Sequence, residues 1–296
     1  MTGEPHMRPS LEMRVTDLSN LPATTAEAGE EDTMKRRSKV DLVGPRSDRQ
    51  LASEWDKVAA GRDSLIEEGR DLSYLYILLP ALRNLSARWL RPGSRILDVG
   101  CGTGKFASEL AEEYSKTEIL AIDPSRYSIQ IAEQKRAALT NLAFSCSSVE
   151  SVAERQEFGH FDLVVANMLF QNVASLESAV QACRKLLGQG GALVFAVPHP
   201  CFWPRYWKYE KEPWFRYDRE LWIRAPFKTS LSPDSDVTTT HTHRPLSSYI
   251  KAFHLAGFCI DELVEPYPDA GLEGEYPIAW EFPRFLLGRC IAKGGD

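Results

Sequence analysis

Short apolar runs alternate with amphipathic segments through the middle of the chain. Runs without polar alternation predict buried strands at residues 95–99, 118–122, 142–146, 161–166 and 191–197. Between them apolar residues recur at helical spacing, which predicts helices at about 104–115, 125–138, 149–155 and 174–187. Strands that are apolar on both faces need cover on both faces, so this order predicts a parallel sheet between two layers of helices.

The alternation is interrupted at residues 199–244, a long segment rich in aromatic and charged residues. A helix is then predicted from Pro245, a sixth strand at 258–264, and a last strand at 284–292 that a short connection favours as antiparallel. The chain is therefore predicted to have an α/β fold. Its seven-stranded sheet is mostly parallel with an antiparallel last strand, and an aromatic-rich insertion follows strand five.

A polar tail and a helical arm precede the first strand of this sheet. Residues 1–46 are rich in Glu, Thr, Arg, Ser and Pro, a composition typical of a disordered tail. Apolar residues then recur at helical spacing as far as Gly61, which we expect to end that helix. A second helix is predicted from Asp71, as its N-cap, to Trp89.

Composition narrows the class of protein. With 296 residues, 43% of them hydrophobic, the chain suits one large domain with an appendage or two modest domains. The formal net charge of −6 argues against a general nucleic-acid partner. Six scattered cysteines without a C-x-x-C pair, no apolar signal segment and no run of membrane-spanning length favour a cytoplasmic protein without a membrane partner. Homo-oligomerisation stays open.

The first strand runs into a glycine-rich turn. Three glycines spaced G-x-G-x-G, ending at Gly104, let the backbone approach a ligand closely. Asp98 places a negative charge before the turn, which suits a cationic ligand better than a pyrophosphate. Asp123 ends the second strand, a position that reaches ribose hydroxyls in an α/β sheet. Lys105 stands where the dinucleotide fingerprint has a third packing glycine.

The run Leu97-Asp98-Val99-Gly100-Cys101-Gly102-Thr103-Gly104 resembles the first motif of the class I S-adenosylmethionine-dependent methyltransferases, and the likeness extends over about residues 94–293. The resemblance implies a Rossmann-like fold and S-adenosyl-L-methionine as cofactor. It implies a cofactor site made of Asp98, Gly100, Cys101, Gly102, Gly104, Asp123, Pro124, Ser125, Ser148, Val149 and Asn167.

The resemblance also assigns roles within that site. Asp98 and the backbone at Gly100 and Cys101 are expected to hold the amino-acid end of the cofactor, and Asp123 both ribose hydroxyls. Ser148-Val149 departs from the acid and small residue that the family has near adenine. A His-Pro-Cys-Phe turn at 199–202 and the stretch 243–249 resemble the bacterial small-molecule, natural-product-type branch, whose substrates are sparsely defined.

The methyl acceptor is expected beyond strands four and five. His199, held between two prolines, is our candidate general base, although a loop histidine that bonds a carbonyl has the same sequence signature. The aromatic insertion suits an apolar cap over the acceptor or a small subdomain with its own aromatic core. The arm residues Arg62 and Tyr76 are expected to close over the site. Candidate acceptor-binding residues are Trp55, Tyr74, Phe202, Trp203, Tyr206, Trp207 and His243.

Two weaker patterns lie in the insertion. His241-Thr242-His243, with Asp234 and Asp236 nearby, could hold a metal, but H-x-H alone is a weak signal and we predict no metal. Basic residues between aromatic ones suit base stacking on RNA, but interleaved acids count against it.

The predicted function is methyl transfer to an O or N atom of a small aromatic or hydrophobic metabolite. C-methylation of a prenyl or indole-type intermediate, and cofactor binding without methyl transfer, stay open as alternatives. The predicted parts are a disordered tail (1–46), a helical arm or lid (47–92), the cofactor-binding core (93–198), a substrate-cap insertion (199–244) and the C-terminal part of the core sheet (245–296).

Overall fold

The computed structural model describes residues 40–155, 159–231 and 236–293. The strands in these residues are β1 (Asp41–Val43), β2 (Arg95–Val99), β3 (Glu118–Ile122), β4 (Leu142–Ser145), β5 (Phe161–Asn167), β6 (Leu187–Pro198), β7 (Leu221–Pro226), β8 (Thr238–His243), β9 (Phe258–Val264) and β10 (Phe285–Ala292). Seven of them form one sheet in the order β4-β3-β2-β5-β6-β10-β9. The other three form a small sheet in the order β1-β7-β8.

The large sheet has the predicted mixture of directions. β2 pairs in parallel with β3 and β5, and the parallel pairing continues to β4 on one side and β6 on the other. β10 runs antiparallel to both β6 and β9. The predicted seven-stranded α/β fold with an antiparallel last strand is therefore confirmed.

Helices cover both faces of this sheet because alternate strand residues point to opposite sides. The α-helices are α1 (Asp48–Glu67), α2 (Leu79–Ser86), α3 (Lys105–Glu113), α4 (Arg126–Arg136), α5 (Val149–Arg155), α6 (Leu176–Leu186), α7 (Trp203–Tyr206), α8 (Leu246–Leu255) and α9 (Ala270–Glu273). Leu97 and Val99 belong to one buried cluster with residues of α5, α6 and α8. Ile96 belongs to a second cluster with residues of α2 and α3. In the described part of the chain, no helix is long and apolar enough to span a bilayer.

The first helix of the arm is longer than the sequence predicts. α1 continues through Gly61 to Glu67, so the expectation that Gly61 ends this helix is wrong. A glycine inside a helix costs about 1 kcal/mol relative to alanine. Buried Leu51 and Ile66, on either side of it, and a capping box at Ser47 anchor the helix and outweigh that cost.

The second helix of the arm begins as predicted but is irregular. The Asp71 carboxylate accepts a hydrogen bond from the Tyr74 N–H at 3.2 Å, as expected of an N-cap. Residues Ser73–Leu78 then form a π-helical turn, in which the Leu79 N–H donates to the Tyr74 carbonyl. Pro80 follows directly, and its ring would crowd a carbonyl in a regular preceding turn. The wide turn accommodates the proline.

The small sheet joins the N-terminal side of the chain to the insertion. β1 pairs antiparallel with β7, and β7 with β8. The prediction that the disordered tail extends to residue 46 is therefore wrong at its C-terminal end. Three residues are too few to show a strand pattern, and the partner strand lies far along the chain. The rest of that tail, residues 1–39, lies outside the described residues.

Candidate active site

A cleft of about 1120 Å³, including its open mouth, lies at the carboxyl ends of β2, β3 and β5. The cofactor residues of the sequence prediction that line it are Asp98, Gly100, Cys101, Gly102, Asp123, Pro124, Ser148, Val149 and Asn167. Ligands of open α/β sheets bind at this edge. Nine of the eleven residues predicted to bind the cofactor thus line one cavity.

Two glycines of the turn permit close packing around this cleft. Gly100 has φ +72°, and a Cβ there would lie 2.8 Å from Cδ1 of Leu169 on the opposite wall. Gly104 has φ +77°, and a Cβ there would lie 2.7 Å from the Phe144 ring. Gly104 does not line the cleft. The structure gives Gly104 a packing role at the start of α3, and its assignment to the cofactor stays a prediction.

Asp98 is a buried carboxyl group, with 2% of its surface exposed. Burial, with a smaller contribution from the negative charge of Asp123, raises the pKa of Asp98 to about 7. Its Oδ2 atom and the Oδ1 atom of Asn167 are buried, and neither accepts a hydrogen bond. Two buried acceptors without donors, both on residues that line the cleft, suit a ligand that brings a cationic N–H group.

Asp123 ties the glycine turn to the end of β3. Its Oδ2 accepts a hydrogen bond from the Gly102 N–H at 2.9 Å, and its Oδ1 accepts one from the Ser125 N–H at 2.7 Å. Burial raises the pKa of Asp123 to about 6, although these two hydrogen bonds and Arg62 oppose the rise. A carboxylate oxygen can accept more than one hydrogen bond, so a ribose diol still has acceptors here.

Ser125, which the resemblance places in the cofactor site, does not line the cleft, and its contact with the cofactor stays a prediction. Its hydroxyl accepts a hydrogen bond from the Ser128 N–H at 3.1 Å, which caps α4. The same hydroxyl donates to the Asp56 carboxylate of α1 at 2.6 Å. Ser125 therefore joins the arm to the turn that follows Asp123.

The arm forms one wall of the cleft. Trp55, Arg62 and Tyr74 line it, whereas Tyr76 is half exposed and does not. The Arg62 guanidinium lies 5.0 Å from the centre of the Tyr74 ring. Among the described residues that line the cleft, Arg62 is the cationic side chain. Arg62 on this wall could therefore pair with an anionic group of a ligand.

Sequence reasoning missed most of the wall opposite the glycine turn. It includes Met168, Leu169, Asn172 and Val173, which follow β5. Met168 has φ +54°, which is uncommon for a residue other than glycine. These residues could have been predicted from their position after the fourth strand of the large sheet, because the residues that follow each parallel strand lie at the same edge.

His199 lies outside the cleft, with both ring nitrogens engaged. Nδ1 accepts a hydrogen bond from the Cys201 N–H at 3.2 Å, so Nε2 carries the proton and faces Glu265 Oε1 at 2.6 Å. Only 3% of its surface is exposed. The structure corrects the expectation of a general base, because neither nitrogen is free to accept a proton from an acceptor.

The aromatic residues expected to bind the acceptor pack together instead. Phe202, Trp203, Tyr206 and Trp207 do not line the cleft. Trp203 lies 5.2 Å from Tyr206 between ring centres, and the Arg284 guanidinium lies 4.5 Å from the Tyr206 ring. Their expected contact with the acceptor is therefore corrected. The alternative of an aromatic core within the insertion fits these contacts.

The paired histidines of β8 are also structural. His243 is buried away from the cleft, and its Nε2 donates to the Tyr217 carbonyl at 3.1 Å, so its expected acceptor contact is corrected. Burial, with His243 adding to the effect, lowers the pKa of His241 to about 4, so this imidazole is neutral. No group of three or more potential metal ligands occurs among the described residues, and Asp234 lies outside them.

Residues 70–263 match the family model described as "Methyltransferase domain". A malonyl-[acyl-carrier protein] O-methyltransferase of Paenibacillus sp. is 33% identical over 108 residues, which are 36% of this chain and 39% of that protein. A ubiquinone biosynthesis O-methyltransferase of Alkalilimnicola ehrlichii is 34% identical over 106 residues, which are 36% of this chain and 42% of that protein. The matches thus span about two-fifths of these relatives.

Solved structures resemble the same fold. A putative S-adenosylmethionine dependent methyltransferase from Listeria monocytogenes aligns with a TM-score of 0.54 and 22% identity, over 72% of this chain and 98% of that one. The [4+2]-cyclase SpnF aligns with a TM-score of 0.58 and 15% identity, over 87% of this chain and all of that one (100%). At these identities the likeness is one of fold.

Proposed function

The chain belongs to the methyltransferase-domain family and has the class I S-adenosylmethionine-dependent fold, and from that premise we propose that it methylates an O or N atom of a small aromatic or hydrophobic acceptor. The unpaired Oδ2 of buried Asp98 is the observation that carries this proposal. A buried carboxylate oxygen without a donor is costly, and the ammonium group of the cofactor would relieve that cost.

The other residues of the cleft fit the rest of the cofactor. Asp123 would accept hydrogen bonds from the ribose hydroxyls while it keeps its bonds to the Gly102 and Ser125 N–H groups. Val149 and Leu169 would enclose the base between apolar side chains. Arg62 would pair with the carboxylate of the cofactor. When bound, S-adenosylmethionine supplies an electrophilic methyl group.

The side chains around the cleft favour catalysis by alignment. Asp98 and Asp123 have their pKa values near neutral, and both are assigned to the cofactor in this proposal. No histidine lines the cleft among the described residues. We therefore expect an acceptor that brings its own nucleophile, such as a carboxylate, a phenolate or a neutral amine. The cleft would hold it in line and exclude water.

Two further observations support this class of acceptor. Trp55, Tyr74, Met168 and Val173 give the cleft a largely apolar wall, which suits a hydrophobic substrate. The curated relatives named above are O-methyltransferases, which favours oxygen over nitrogen as the acceptor atom. In the proposed organisation, residues 47–92 form the lid of the core 93–198, whereas the aromatic residues of the insertion 199–244 pack together outside the cleft.

The proposal is tested in two steps. Calorimetry with S-adenosylmethionine and S-adenosylhomocysteine should show binding of both, and no binding by the wild-type protein would overturn the proposal. A panel of carboxylic acids, phenols and amines, incubated with a labelled methyl donor, should then yield methyl esters, ethers or methylamines. Label found only on carbon would favour C-methylation, and acceptor conversion without label transfer would favour a protein that binds the cofactor but does not transfer methyl.

A further inference from the structure

The segment after β5 forms a wall of the cleft without regular secondary structure beyond one short turn. Met168 adopts φ +54°, and its carbonyl accepts hydrogen bonds from the side-chain amides of Gln171 and Asn172 at 2.6 and 2.9 Å. A 3₁₀ turn covers Phe170–Asn172. Such a segment needs external contacts to keep one conformation, because a strained residue persists only where its surroundings determine it.

Arg244 supplies two of those contacts from the other side of the segment. Its Nη1 donates to the Phe170 carbonyl at 2.7 Å, and its Nη2 donates to the Val173 carbonyl at 3.1 Å. Its Nε donates to Glu220 Oε2 at 2.7 Å. Only 2% of the Arg244 surface is exposed, and the Tyr249 hydroxyl is a further hydrogen-bond partner of this buried guanidinium. Glu220 compensates the buried charge.

The fork of Arg244 fixes the spacing of two carbonyls that lie three residues apart. A planar guanidinium holds its donors in a rigid arrangement, which a lysine ammonium cannot reproduce. The residues between and beside these carbonyls reach the cleft, because Leu169 packs against Gly100 and Val173 lines the cavity. Arg244 itself does not line the cleft, so any effect on the cofactor passes through the segment.

We propose that Arg244 is a positioning residue that sets residues 168–173 against the glycine turn, and that Glu220 supports it in this role. The inference rests on the proposed function, since the cleft is assigned to S-adenosylmethionine. It goes further by linking the insertion to the cofactor. Arg244 follows β8, Glu220 precedes β7, and neither touches the cavity. A change in the packing of the insertion around Arg244 and Glu220 would therefore change the affinity for the cofactor.

The inference is tested by calorimetry with S-adenosylhomocysteine on four proteins: the wild type, Arg244→Lys, Glu220→Gln and the control Arg224→Lys. Arg224 lies on β7 and pairs with Asp41 at 3.0 Å, so it controls for the same change at another arginine of the insertion. We expect Arg244→Lys to raise Kd about tenfold or more, Glu220→Gln to raise it roughly threefold, and Arg224→Lys to leave it within about twofold.

Two further readouts separate positioning from simple stabilisation. The melting temperature of each variant is measured, and Kd is determined well below it, where a merely structural arginine would leave the affinity of the folded protein unchanged. Amide hydrogen exchange in residues 168–174 should become faster in Arg244→Lys while exchange in β2 and β3 is unchanged.

Each outcome decides the matter. A folded Arg244→Lys with wild-type affinity overturns the inference and leaves the proposed function intact. If Arg244→Lys does not fold, Glu220→Gln decides, because Glu220 is half exposed and its loss is tolerable: a raised Kd supports the inference and an unchanged Kd overturns it. No binding by the wild type overturns the proposed function and this inference together.

Discussion

The carboxylate of Asp56 accepts a hydrogen bond from the hydroxyl of Ser125 at 2.6 Å, and this contact joins α1 to the turn that carries Asp123. The same carboxylate oxygen accepts a second hydrogen bond from the Tyr127 N–H at 3.0 Å. Asp56 therefore fastens one wall of the cleft to another, beside the ion pairs Asp63–Lys135 and Glu67–Arg136 that also join α1 to α4. Because that wall includes Trp55 and Arg62, its hold on α4 affects how firmly a ligand is enclosed.

We expect Asp56→Ala to weaken binding of S-adenosylhomocysteine by about three- to tenfold, since two hydrogen bonds to a charged acceptor are lost. Most of the change should appear as faster dissociation, measured by stopped-flow or surface plasmon resonance. Lys57→Ala, at the next and exposed position of α1, is the matched control. An unchanged dissociation rate in Asp56→Ala would show that α1 does not retain the ligand.

Cofactor affinity should depend on pH through Asp98. In the free protein the pKa of Asp98 is about 7, so at lower pH the carboxyl is neutral and a cationic ligand must displace its proton. Kd for S-adenosylmethionine should therefore rise as the pH falls below about 7, by up to about tenfold per unit. Asp98→Asn should weaken binding more than about tenfold at pH 8 and flatten this dependence. A wild-type Kd that is constant from pH 5 to 8 contradicts the assignment.

The same carboxyl should cost the ligand-free protein stability. The pKa of Asp98 rises from 3.8 to about 7 on folding, so the folded state favours the protonated form. Its contribution to stability is fully present below pH 3.8 and is lost as the pH rises through about 7. Asp98→Asn, which is neutral throughout, should therefore melt at a higher temperature than the wild type at pH 8. Differential scanning calorimetry without ligand measures this, and a lower melting temperature for the variant at pH 8 counts against it.

Replacing His199 should affect stability more than ligand binding. His199→Gln loses the contact between Nε2 and Glu265, which joins the end of β6 to the segment after β9. Because Glu265 is half exposed, loss of this partly buried hydrogen bond costs about 1 kcal/mol and should lower the melting temperature by a few degrees. Binding of S-adenosylhomocysteine should stay within about twofold of wild type. Once an acceptor is found, near-complete loss of turnover across pH 6 to 9 would restore His199 as a catalytic candidate.

The sequence was most informative where local pattern determines structure. β2 and β3 are short and apolar, and their pairing places Asp98 and Asp123 at one edge of the sheet. Asn167, which the family resemblance assigned to the cofactor site, ends β5 at that same edge. Position along a parallel strand thus predicts which side chains meet, because all these strands end on the same side.

The sequence was least informative where a distant partner decides the role of a residue. His199 lies between two prolines at the end of a strand. Its structural role depends on its hydrogen bond with Glu265, which lies 66 residues further on in an irregular segment. The aromatic residues of the insertion could face a substrate or one another, and Arg284 determines the outcome for Tyr206. Gly61 carries a local signal to end a helix, and tertiary burial overrides it.

The π-helical turn at Ser73–Leu78 determines which side chains of the arm face the cleft. One extra residue in a helical turn rotates everything beyond it by about 100°. Tyr74 can therefore face the cavity while Leu82 and Leu85, beyond the turn, face the sheet. Deleting one residue here would restore regular helical spacing, but only by turning either the tyrosine or the two leucines to the wrong side. The number of residues in this segment therefore determines which side chains face the cleft, whatever their chemistry.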